Sequence, residues 1–443
     1  MDNNSNSKKK VALHNLGCKV NAYETEAMTE LLIKAGYDIV PFEEGADIYI
    51  INTCTVTNIA DRKSRQMLHK AKKMNPKGKV IAAGCYAQAA AKDIEKDSAI
   101  DIVVGNDMKR NIVEIIESDG KMETLVDIND AKVKREFEEL NIEESMEERA
   151  RAYIKIQDGC NQFCSYCIIP FARGRVRCRK PENIRKEVKR LADRGYKELV
   201  LTGIHISSYT YEENGINYTL KDIVKLISME PRIKRIRLGS LEPRIITEDF
   251  METIAGIESL CPHFHLSLQS GCDTVLKRMN RRYNTEEFYN GVELIRKYYP
   301  EAAITTDVIV GFVGETEEEH KITHDFLEKV HFSQMHIFKY SMRKGTRAAH
   351  MDNQVDPQVK NIRSEDLLSL DAIMHKEFLD GQIGKCKEVL FEEEMSINNK
   401  RYFVGHTREY VKVAVETDDN LSNEIINVKI TDYVTDEIML AMF

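Results

Sequence analysis

Short apolar segments alternate with amphipathic segments along most of this chain, and this alternation limits the fold more than any other feature. In the first hundred residues, helices are predicted at Asn21–Ala35 and Asp61–Lys73. The strands predicted around them are Val11–Leu16, Asp47–Asn52, Lys79–Ala83 and Ile100–Val104. Strands that alternate with helices pair in parallel through crossover connections. The N-terminal region is therefore predicted to be an α/β domain with a doubly wound parallel sheet.

A second alternating series begins at Ala152 and indicates six strand–helix units. Its predicted strands are Ala152–Ile156, Glu198–Thr202, Arg235–Leu238, His263–Leu268, Ala303–Val310 and Gln334–Tyr340. Six such units predict a partial TIM-type (β/α)6 barrel. Reactive groups of such barrels lie in loops at the C-terminal ends of the strands.

The pattern changes to short strands after a helix predicted at Ser364–Leu379. These strands, which predict a small β-barrel, are Lys385–Phe391, Tyr402–His406, Tyr410–Val415 and Ile425–Thr431. Upstream, Glu136–Glu148 contains seven glutamates and no basic residue, which is typical of a solvated linker or surface helix. The predicted divisions are an N-terminal domain at 9–121, an acidic linker at 122–149, a barrel at 150–376 and a small β-barrel at 378–443.

The composition indicates a globular chain without a membrane segment. Hydrophobic residues make up 42% of the 443 residues and charged residues 31%, and no apolar run reaches the length of a membrane-spanning helix. The segment from Met1 to Lys10 is polar and lacks the apolar stretch of a secretory signal. We therefore expect a cytoplasmic protein with no membrane partner. Its ten cysteines then favour metal or redox chemistry over disulfides.

Basic residues cluster in four segments although the formal net charge is −8. The net charge argues against indiscriminate nucleic-acid binding, because phosphate contacts require clustered lysine and arginine. The four segments are Arg62–Lys79, Arg173–Lys180, Arg232–Arg237 and Lys277–Arg282. One such segment alone is typical of a solvated helix face, whereas four together give weight to phosphate contacts.

Three cysteines with the spacing Cys-x3-Cys-x2-Cys follow the first strand of the second series. They are Cys160, Cys164 and Cys167. Three thiolates at this spacing can hold three irons of a [4Fe-4S] cluster and leave the fourth iron open. The alternative is structural zinc, but that needs a fourth ligand, and Cys178 lies eleven residues further on. At the C-terminal end of a barrel strand, the open iron would face the substrate cavity.

A second set of three cysteines is spread over the N-terminal region. Cys18, Cys54 and Cys85 each come just after a predicted strand. Ligands of doubly wound sheets bind outside the carboxyl ends of the strands, so these thiols are predicted to converge and hold a second cluster. The alternative is that they pack as small apolar side chains. Packing is the role assigned to the remaining cysteines, Cys178, Cys261, Cys272 and Cys386.

The sequence resembles the radical S-adenosylmethionine (SAM) methylthiotransferase family from about Lys10 to Phe443. The motifs that carry the resemblance are Leu16–Asn21, Asn52–Thr57, Gln157–Cys164 and Leu266–Gly271. The resemblance implies two [4Fe-4S] clusters, a radical SAM barrel and a C-terminal TRAM domain that binds RNA. The segments that look like the threonylcarbamoyladenosine branch of the family are Gly17–Asn21, Leu201–His205 and Met335–Ser341.

The resemblance implies methylthio transfer to carbon 2 of N6-threonylcarbamoyladenosine beside the anticodon of tRNA. One SAM would methylate a sulfur carried by the N-terminal cluster. A second SAM would be cleaved at the catalytic cluster of Cys160, Cys164 and Cys167 to a 5′-deoxyadenosyl radical. The implied partners are the anticodon loop of tRNA, an electron donor such as flavodoxin or ferredoxin, and a sulfur source.

Further site residues are assigned from their positions at strand ends and beside the cluster loop. Arg173 and Arg175 are candidates to neutralise a substrate phosphate or the SAM carboxylate, or are surface charges only. His205, Lys339 and Ser341 are candidate contacts of the threonylcarbamoyl group, or ordinary surface or core residues. SAM contacts, each equally consistent with a turn or packing role, are predicted at Thr202, Gly203, Glu242, Gln269, Val310 and Gly311.

Two features depart from the family pattern. Val313 stands where family members usually have proline, which would loosen the loop after the fifth barrel strand. The region beyond Phe378 is acidic, which weakens an RNA-binding role for it and leaves phosphate contacts to the basic segments. The alternative functions are methylthiolation of isopentenyladenosine in tRNA or of a ribosomal-protein aspartate, and a non-catalytic iron-sulfur scaffold that binds RNA.

Overall fold

The computed structural model describes residues 8–118, 123–124, 135–140 and 150–443, without the side chains of residues 92, 123 and 124. The chain divides into two compact units. The sheet unit contains Met1–Glu147, Lys155–Arg179 and Ser341–Ala349, and the barrel unit contains Glu148–Ile154, Lys180–Tyr340 and His350–Phe443. Most of the predicted acidic linker lies outside the described residues, and the predicted domain bounds stay predictions.

The sheet unit is built on a six-stranded parallel sheet with the order β2-β1-β3-β4-β5-β6. Its elements are β1 (Lys10–Asn15), α1 (Lys19–Lys34), β2 (Asp38–Ile39), β3 (Ile48–Thr53), α2 (Asn58–Met74), β4 (Lys79–Gly84), α3 (Cys85–Ala89), α4 (Ala91–Ile94), β5 (Ile102–Val104), α5 (Ile112–Glu117) and β6 (Glu123–Thr124). The predicted doubly wound sheet is confirmed. Strands β2 and β6 were not predicted, because two residues are too few for a periodic pattern.

Successive residues of β3 supply the two apolar layers of this sheet. Ile48 and Ile50 pack with Met28 and Leu32 of α1. Tyr49 and Ile51 pack on the other layer, which includes residues of α2. Since strand side chains alternate between faces, helices cover both sides of the sheet. The site can therefore form only along the strand ends.

Residues 151–380 alternate strands and helices as predicted. The elements in chain order are β7 (Arg151–Lys155), β8 (Gln157–Asp158), α6 (Ile169–Arg173), β9 (Arg177–Cys178), α7 (Pro181–Asp193), β10 (Glu198–Thr202), β11 (Thr210–Glu213), β12 (Ile216–Thr219), α8 (Leu220–Ser228), β13 (Arg235–Leu238), α9 (Glu248–Ala255), β14 (His263–Gln269), α10 (Asp273–Arg278), α11 (Thr285–Tyr298), β15 (Ala303–Val310), α12 (Glu317–Val330), β16 (Gln334–Lys339) and α13 (Pro357–Asp380). Short 3-10 helices occur at Lys109–Asn111, Ile206–Ser208, Pro243–Ile245 and Arg347–His350.

The six predicted barrel strands form two adjoining three-stranded sheets. Their orders are β13-β10-β7 and β14-β15-β16, and parallel bridges link Ile236 to Leu260 and Leu241 to Leu266. The strands thus follow one another in chain order, as expected for a partial (β/α)6 barrel. On β14, Phe264 and Leu266 are buried, whereas the alternate residue His265 is only partly buried.

The C-terminal residues of the barrel unit form a closed five-stranded barrel with the order β17-β18-β19-β21-β20. Its strands are β17 (Cys386–Ile397), β18 (Lys400–Thr407), β19 (Lys412–Glu416), β20 (Ile425–Thr435) and β21 (Ile438–Met442). The predicted small β-barrel is confirmed, although β21 was missed because its residues are almost all apolar and do not alternate. Within the described part of the chain, no helix is long and apolar enough to span a membrane.

Candidate functional site

The structure brings together the three dispersed cysteines of the sheet unit. Cys18 precedes α1, Cys54 follows β3, and Cys85 begins α3 directly after β4. Burial raises the pKa of the Cys54 thiol to about 11, with smaller contributions in the same direction from the nearby Cys85 and Cys18. Three thiols from three strand ends thus lie close enough together to interact electrostatically, as their predicted convergence requires. Their binding of a cluster stays a prediction.

A glycine shapes the strand end that carries Cys85. Gly84 has a φ of +91°, a left-handed conformation that favours glycine. A Cβ atom there would lie 2.5 Å from Asn52 Oδ1 and 2.6 Å from the Thr53 carbonyl oxygen. Only glycine therefore lets β4 end this close to β3 and start α3 at the cysteine.

The second set of cysteines lies in a loop held by backbone hydrogen bonds. The Cys160 N–H donates to the Gly174 carbonyl at 3.0 Å, and the Cys167 N–H donates to the Cys164 carbonyl at 3.0 Å. The Gln162 N–H donates to Cys160 Sγ at 3.4 Å. All three cysteines are partly buried. A sulfur that already accepts an N–H is suited to be a metal ligand, because metal-bound thiolates are stabilised in this way.

The residue before Cys160 is also a glycine that no other residue could replace. Gly159 has a φ of +71°, and a Cβ atom there would lie 1.9 Å from the Arg175 carbonyl oxygen. The loop crosses the following chain segment at this point, next to the short β8–β9 ladder. Arg175 itself is exposed, with its guanidinium carbon 4.4 Å from the ring centroid of Phe163. This placement is compatible with the surface charge predicted for Arg175.

A cluster of charged side chains is buried beside Cys85 in the sheet unit, which the sequence did not predict. Glu24 lies at the centre and is fully buried. It accepts from Arg173 Nη1 at 2.8 Å and from Lys155 Nζ at 2.7 Å, and it also pairs with Lys109. Lys155 reaches a second buried carboxylate, that of Asp158, at 2.6 Å. We call this set the ionic core; its members are Glu24, Lys109, Lys155, Asp158 and Arg173.

The ionic core carries an excess of positive charge. Burial alone would raise the pKa of Glu24, but the charges of Arg173, Lys109 and Lys155 hold it well below its ordinary value. The same holds for Asp158, whose pKa is lowered by Lys155, Arg173 and Arg177 against the effect of burial. Three cations of the core thus face two ionised carboxylates. The remaining positive charge favours an anionic group next to it.

Cys85 is that neighbouring group. Arg173 Nε donates to Cys85 Sγ at 3.2 Å, and Asn106 Nδ2 lies 3.8 Å from the same sulfur. Burial raises the pKa of Cys85, while the charges of Arg173 and Lys109 act to lower it. Arg173 is fully buried, so its predicted alternative role as a surface charge is wrong.

The structure corrects two of the four predicted basic segments. Within Arg173–Lys180, three of the arginines are buried, and Arg179 pairs with Glu139 at 2.8 Å. Within Arg232–Arg237, Arg235 and Arg237 are buried. The sequence pattern missed this because arginines at alternate strand positions can pair inside as well as face solvent. The segments Arg62–Lys79 and Lys277–Arg282 retain exposed cations.

The acidic segment differs from the expected solvated linker where it is described. Glu138 is only 5% exposed and accepts from the Arg110 N–H at 3.0 Å. Burial raises the pKa of Glu138 to about 7, although the charges of Lys155 and Lys109 act to lower it. Residues 141–149 of the segment lie outside the described residues. At least this part of the segment therefore packs against the sheet unit.

The predicted SAM contacts all lie at or just beyond the carboxyl ends of barrel strands. Thr202 and Gly203 lie at the end of β10, Gln269 ends β14, and Val310 and Gly311 lie at the end of β15. Glu242 comes four residues after β13. The structure thus places them on the strand ends that the sequence indicated, and SAM binding by them stays a prediction.

Two of these residues have features beyond simple packing. Gln269 is only 8% exposed and has a φ of +74°, an uncommon conformation for a residue with a side chain. Burial raises the pKa of Glu242, although the charges of Arg281, Arg244 and Arg282 act to lower it. Strained backbone and a carboxylate with a raised pKa are concentrated at functional sites in proteins.

The three residues proposed to contact the threonylcarbamoyl group have separate surroundings. His205 Nε2 lies 4.0 Å from Glu242, and burial lowers its pKa to about 4, with help from Arg281. Lys339 Nζ donates to Asn361 Oδ1 at 2.8 Å. Ser341 belongs to the sheet unit, where its hydroxyl accepts the Asn58 N–H at 3.1 Å. The structure does not bring the three together within one unit.

Val313, which replaces the usual proline, is almost fully buried in the barrel unit. Its carbonyl oxygen accepts from Arg278 Nε at 3.2 Å. The next residue, Gly314, has its N–H bonded to the Asn353 carbonyl at 2.8 Å. These two hydrogen bonds hold the loop at Val313 and Gly314, and the predicted loosening stays a prediction.

A polar group on the barrel strands was not predicted. His265 of β14, Asp307 of β15 and His336 of β16 place their nitrogen and oxygen atoms within 4.8 Å of one another. His265 Nε2 lies 3.3 Å from Asp307 Oδ2, and Nδ1 of the same ring lies 2.9 Å from Thr305 Oγ1. The signal in the sequence was three charged or polar residues at strand positions that alternate with apolar ones.

Two family profiles match the sequence: "Uncharacterized protein family UPF0004" at residues 10–105 and the radical SAM superfamily at residues 154–327. The chain is also 41% identical over 422 residues to the threonylcarbamoyladenosine tRNA methylthiotransferase MtaB of Bacillus subtilis (strain 168). That match covers 95% of this chain and 93% of the relative. The chain belongs to the radical SAM methylthiotransferase family.

Another methylthiotransferase relative is named for a different substrate. The tRNA-2-methylthio-N(6)-dimethylallyladenosine synthase of Acetivibrio thermocellus is 34% identical over 435 residues, with 97% of this chain and 90% of the relative covered. Among solved structures, the radical SAM methyltransferase TsrM of Kitasatospora setae, with cobalamin and a [4Fe-4S] cluster bound, has a TM-score of 0.53 at 16% identity. The alignment covers 75% of each chain and supports the fold.

The donor set of this methylthiotransferase fits two iron-sulfur clusters. Iron in [4Fe-4S] clusters is held by cysteine thiolates, and each set supplies three of them. Burial raises the pKa of the Cys85 thiol, and the neighbouring charges of Arg173 and Lys109 act in the opposite direction, towards the thiolate that iron binds. Both sets thus have the donor chemistry that a [4Fe-4S] cluster requires, and cluster binding by the N-terminal set stays a prediction.

Proposed function

We propose that this methylthiotransferase adds a methylthio group to carbon 2 of N6-threonylcarbamoyladenosine beside the anticodon of tRNA. The observation that carries the proposal is the convergence of Cys18, Cys54 and Cys85 beside a cationic core, in a chain 41% identical to a relative named for this substrate. When bound, two [4Fe-4S] clusters and SAM supply the radical that removes the hydrogen and the methylthio group that replaces it.

In this proposal the two cysteine sets have separate tasks. Cys160, Cys164 and Cys167 hold the catalytic cluster, in the loop fixed by the Gly174 and Cys164 carbonyls. The N-terminal set holds the cluster that carries sulfur. Thr202, Gly203, Glu242, Gln269, Val310 and Gly311 are proposed to bind SAM. Their positions at strand ends and the positive φ of Gln269 support this proposal.

The organisation proposed for the chain follows the sequence divisions. Residues 9–121 form the methylthiotransferase domain, 122–149 the linker, 150–376 the radical SAM barrel and 378–443 a TRAM domain that binds RNA. The closed five-stranded barrel at the C-terminus supports the last assignment. An electron donor such as flavodoxin or ferredoxin, a sulfur source and a cytoplasmic location complete the proposal, because reductive SAM cleavage and tRNA modification require them.

The polar group on the barrel strands supports the threonylcarbamoyl substrate. A threonylcarbamoyl group has a carboxylate, a hydroxyl and amide groups, whereas an isopentenyl group is apolar. His265 and Asp307 are partly buried and His336 is exposed, and their nitrogen and oxygen atoms can hydrogen-bond with a threonylcarbamoyl group, whereas an isopentenyl group offers them no partner. We therefore place the threonylcarbamoyl group near these three side chains.

The test of the substrate offers purified, reconstituted enzyme tRNA that bears either modification, with SAM and reductant. We expect methylthio product on the threonylcarbamoyl tRNA. His336→Phe should reduce that product at least tenfold while 5′-deoxyadenosine formation without tRNA stays unchanged. Lys321→Ala, an exposed change on α12, serves as the control. Product only on isopentenyl tRNA would overturn the substrate assignment and leave the chemistry intact.

The test of the two clusters measures iron and 5′-deoxyadenosine. Reconstituted protein should hold about eight irons, and replacing all three cysteines of either set by alanine should leave about half. Without the catalytic set 5′-deoxyadenosine should vanish, whereas without the N-terminal set it should persist while methylthio product is lost. Full iron retention after changing Cys160, Cys164 and Cys167 would refute the catalytic assignment.

A further inference from the structure

Arg173 connects the ionic core to the sulfur of Cys85. Its Nη1 and Nη2 atoms donate to Glu24 at 2.8 Å and 3.1 Å, and Nη2 also donates to Asn21 Oδ1 at 2.7 Å. A third acceptor is Asp158, whose Oδ2 lies 3.2 Å from Nη1. These contacts fix the guanidinium plane. The Nε–H is then directed at Cys85 Sγ, 3.2 Å away.

We propose that Arg173 is a positioning residue for the N-terminal cluster, which holds the Cys85 sulfur through the Nε–H bond and raises the reduction potential of that cluster. This inference rests on the proposed function, since it requires Cys18, Cys54 and Cys85 to hold a cluster. It assigns Arg173 a role in tuning the sulfur-carrying centre, which is separate from contact with SAM or RNA.

The physical reason lies in charge. A hydrogen bond to a cysteine sulfur withdraws electron density from the iron it binds, and such bonds are among the factors that set cluster potentials. The fixed positive charge of the guanidinium in a buried environment also favours the more negative, reduced state of the cluster. Both effects raise the reduction potential of the cluster.

The surroundings of Arg173 exclude the roles open to an exposed arginine. Its side chain is fully buried and its pKa is raised well above the ordinary value, because the charges of Cys85, Glu24 and Asp158 outweigh burial. Arg175, two residues further on, is exposed and lies over Phe163 instead. Only Arg173 of these two arginines reaches a cysteine sulfur of the N-terminal set.

The same contacts link the two cysteine loops. Asp158 stands two residues before Cys160, and its Oδ1 accepts the Gly159 N–H at 2.7 Å. Arg173, on α6 after the catalytic loop, shares that carboxylate while it donates to Cys85. A displacement of the catalytic loop would therefore change the Nε–H bond to the other set.

The experiment uses the full chain with Cys160, Cys164 and Cys167 changed to alanine, so that only the N-terminal cluster is loaded. Its midpoint potential is measured by redox titration with electron paramagnetic resonance. Arg173→Lys keeps a cation for Glu24 but removes the Nε–H. We expect a potential shifted to more negative values and an altered spectrum of the reduced cluster.

The matched control is Arg177→Lys. Arg177 is 6% exposed, donates to Asp107 at 2.6 Å and to the Arg173 carbonyl at 3.1 Å. Its loss should lower stability without moving the potential. An unchanged potential in Arg173→Lys, or equal shifts in both variants, would overturn the role of Arg173 while the cluster assignment stands. Absence of any cluster in the parent would overturn the proposed function itself.

A second measurement needs no change at Arg173. The same parent protein is grown with 15N-arginine, and its reduced cluster is examined by pulsed electron paramagnetic resonance. An N–H···S bond should give a resolved 15N hyperfine coupling, which should persist in Arg177→Lys. A spectrum without that coupling would contradict the proposal even if Arg173→Lys failed to fold.

Discussion

Both units contain buried arginines that pair with carboxylates. The N–H groups of these arginines that do not bind a carboxylate donate to different kinds of acceptor in the two units. In the sheet unit, Arg173 binds Glu24 and directs its remaining N–H at the Cys85 sulfur. In the barrel unit, Arg237 binds Glu198 at 2.9 Å and donates to the Arg408 and Thr407 carbonyls at 2.9 Å and 3.3 Å. The first arrangement ends on a reactive side chain, whereas the second ends on backbone.

Arg235, two residues before Arg237, has the same structural role in the barrel unit. Arg235 donates to the His406 and Glu388 carbonyls, each at 2.8 Å. These carbonyls belong to the closed C-terminal barrel, so both arginines attach it to strand β13. Burial and ion pairing alone therefore do not identify a functional site. The two arrangements differ in the final acceptor, which is a cysteine sulfur for Arg173 and backbone carbonyls for Arg237.

The largest effect expected from this comparison concerns Glu24. Glu24→Ala leaves three buried cations with one carboxylate, and breaking such an arrangement should lower the free energy of unfolding by about 3–5 kcal/mol. Iron bound by the N-terminal set should fall with it. Denaturant unfolding and iron analysis measure both effects.

Glu30→Ala is the matched control for Glu24, on the same helix. Glu30 is also buried, and its Oε1 lies 2.9 Å from Nζ of Lys34. The side chain of Lys34 is partly exposed to solvent. We expect a smaller loss of stability and full iron content in this control. Equal losses in the two variants would remove the distinction between the ionic core and an ordinary buried carboxylate.

A smaller loss is expected for Arg237→Met in the barrel unit. Glu198 keeps Arg235 as a partner at 3.7 Å, so the free energy of unfolding should fall by about 3 kcal/mol. Iron content should stay unchanged, because the bonds lost end on Glu198 and on backbone. Arg232→Met, at an exposed arginine of the same segment, should have no resolvable effect on stability. Loss of iron in Arg237→Met would break the comparison.

The smallest effect is a pH dependence at the edge of the ionic core. Burial raises the pKa of Glu138 to about 7, so the folded state retains a proton that the unfolded state releases near pH 4.5. Stability should therefore fall as pH rises between those values. Glu138→Gln removes this loss, so the stability advantage of the variant over the wild type should grow as the pH rises from 5 towards 7.

Melting temperatures from pH 5 to pH 8 measure that difference. Glu139→Gln is the control, since Glu139 pairs with Arg179 and is less buried. Its difference from the wild type should not follow the same pH window. A Glu138→Gln advantage that is constant across pH would show that the carboxyl does not hold its proton in the folded state.

Local patterns predicted the strands and the cysteine placement well. Alternating apolar segments gave all six barrel strands, and each cysteine of the N-terminal set followed a strand as expected. Such features depend on residues close in sequence. The fifth strand of the C-terminal barrel, Ile438–Met442, was missed because it lacks the alternation of apolar and polar residues that indicates a strand.

Long-range charge pairing could not be predicted from one sequence. Glu24 and Lys155 are 131 residues apart, and neither has a local feature that identifies the other. A lysine inside the apolar strand at Ala152–Ile156 was the available signal, since an unpaired buried cation is costly. For the same reason the sequence left the role of Arg173 open between an anion contact and a surface charge, and did not show that its partners Glu24 and Asp158 lie in α1 and β8.

The ionic core has a consequence for the history of the gene. Glu24 lies within the match at residues 10–105, whereas Lys155 and Arg173 lie within the match at residues 154–327. Glu24 compensates the charges of Lys155 and Arg173 across the two segments. Recombination that replaced only one segment would leave the buried charges of the other without partners. The two segments should therefore be inherited as one indivisible stretch of coding sequence.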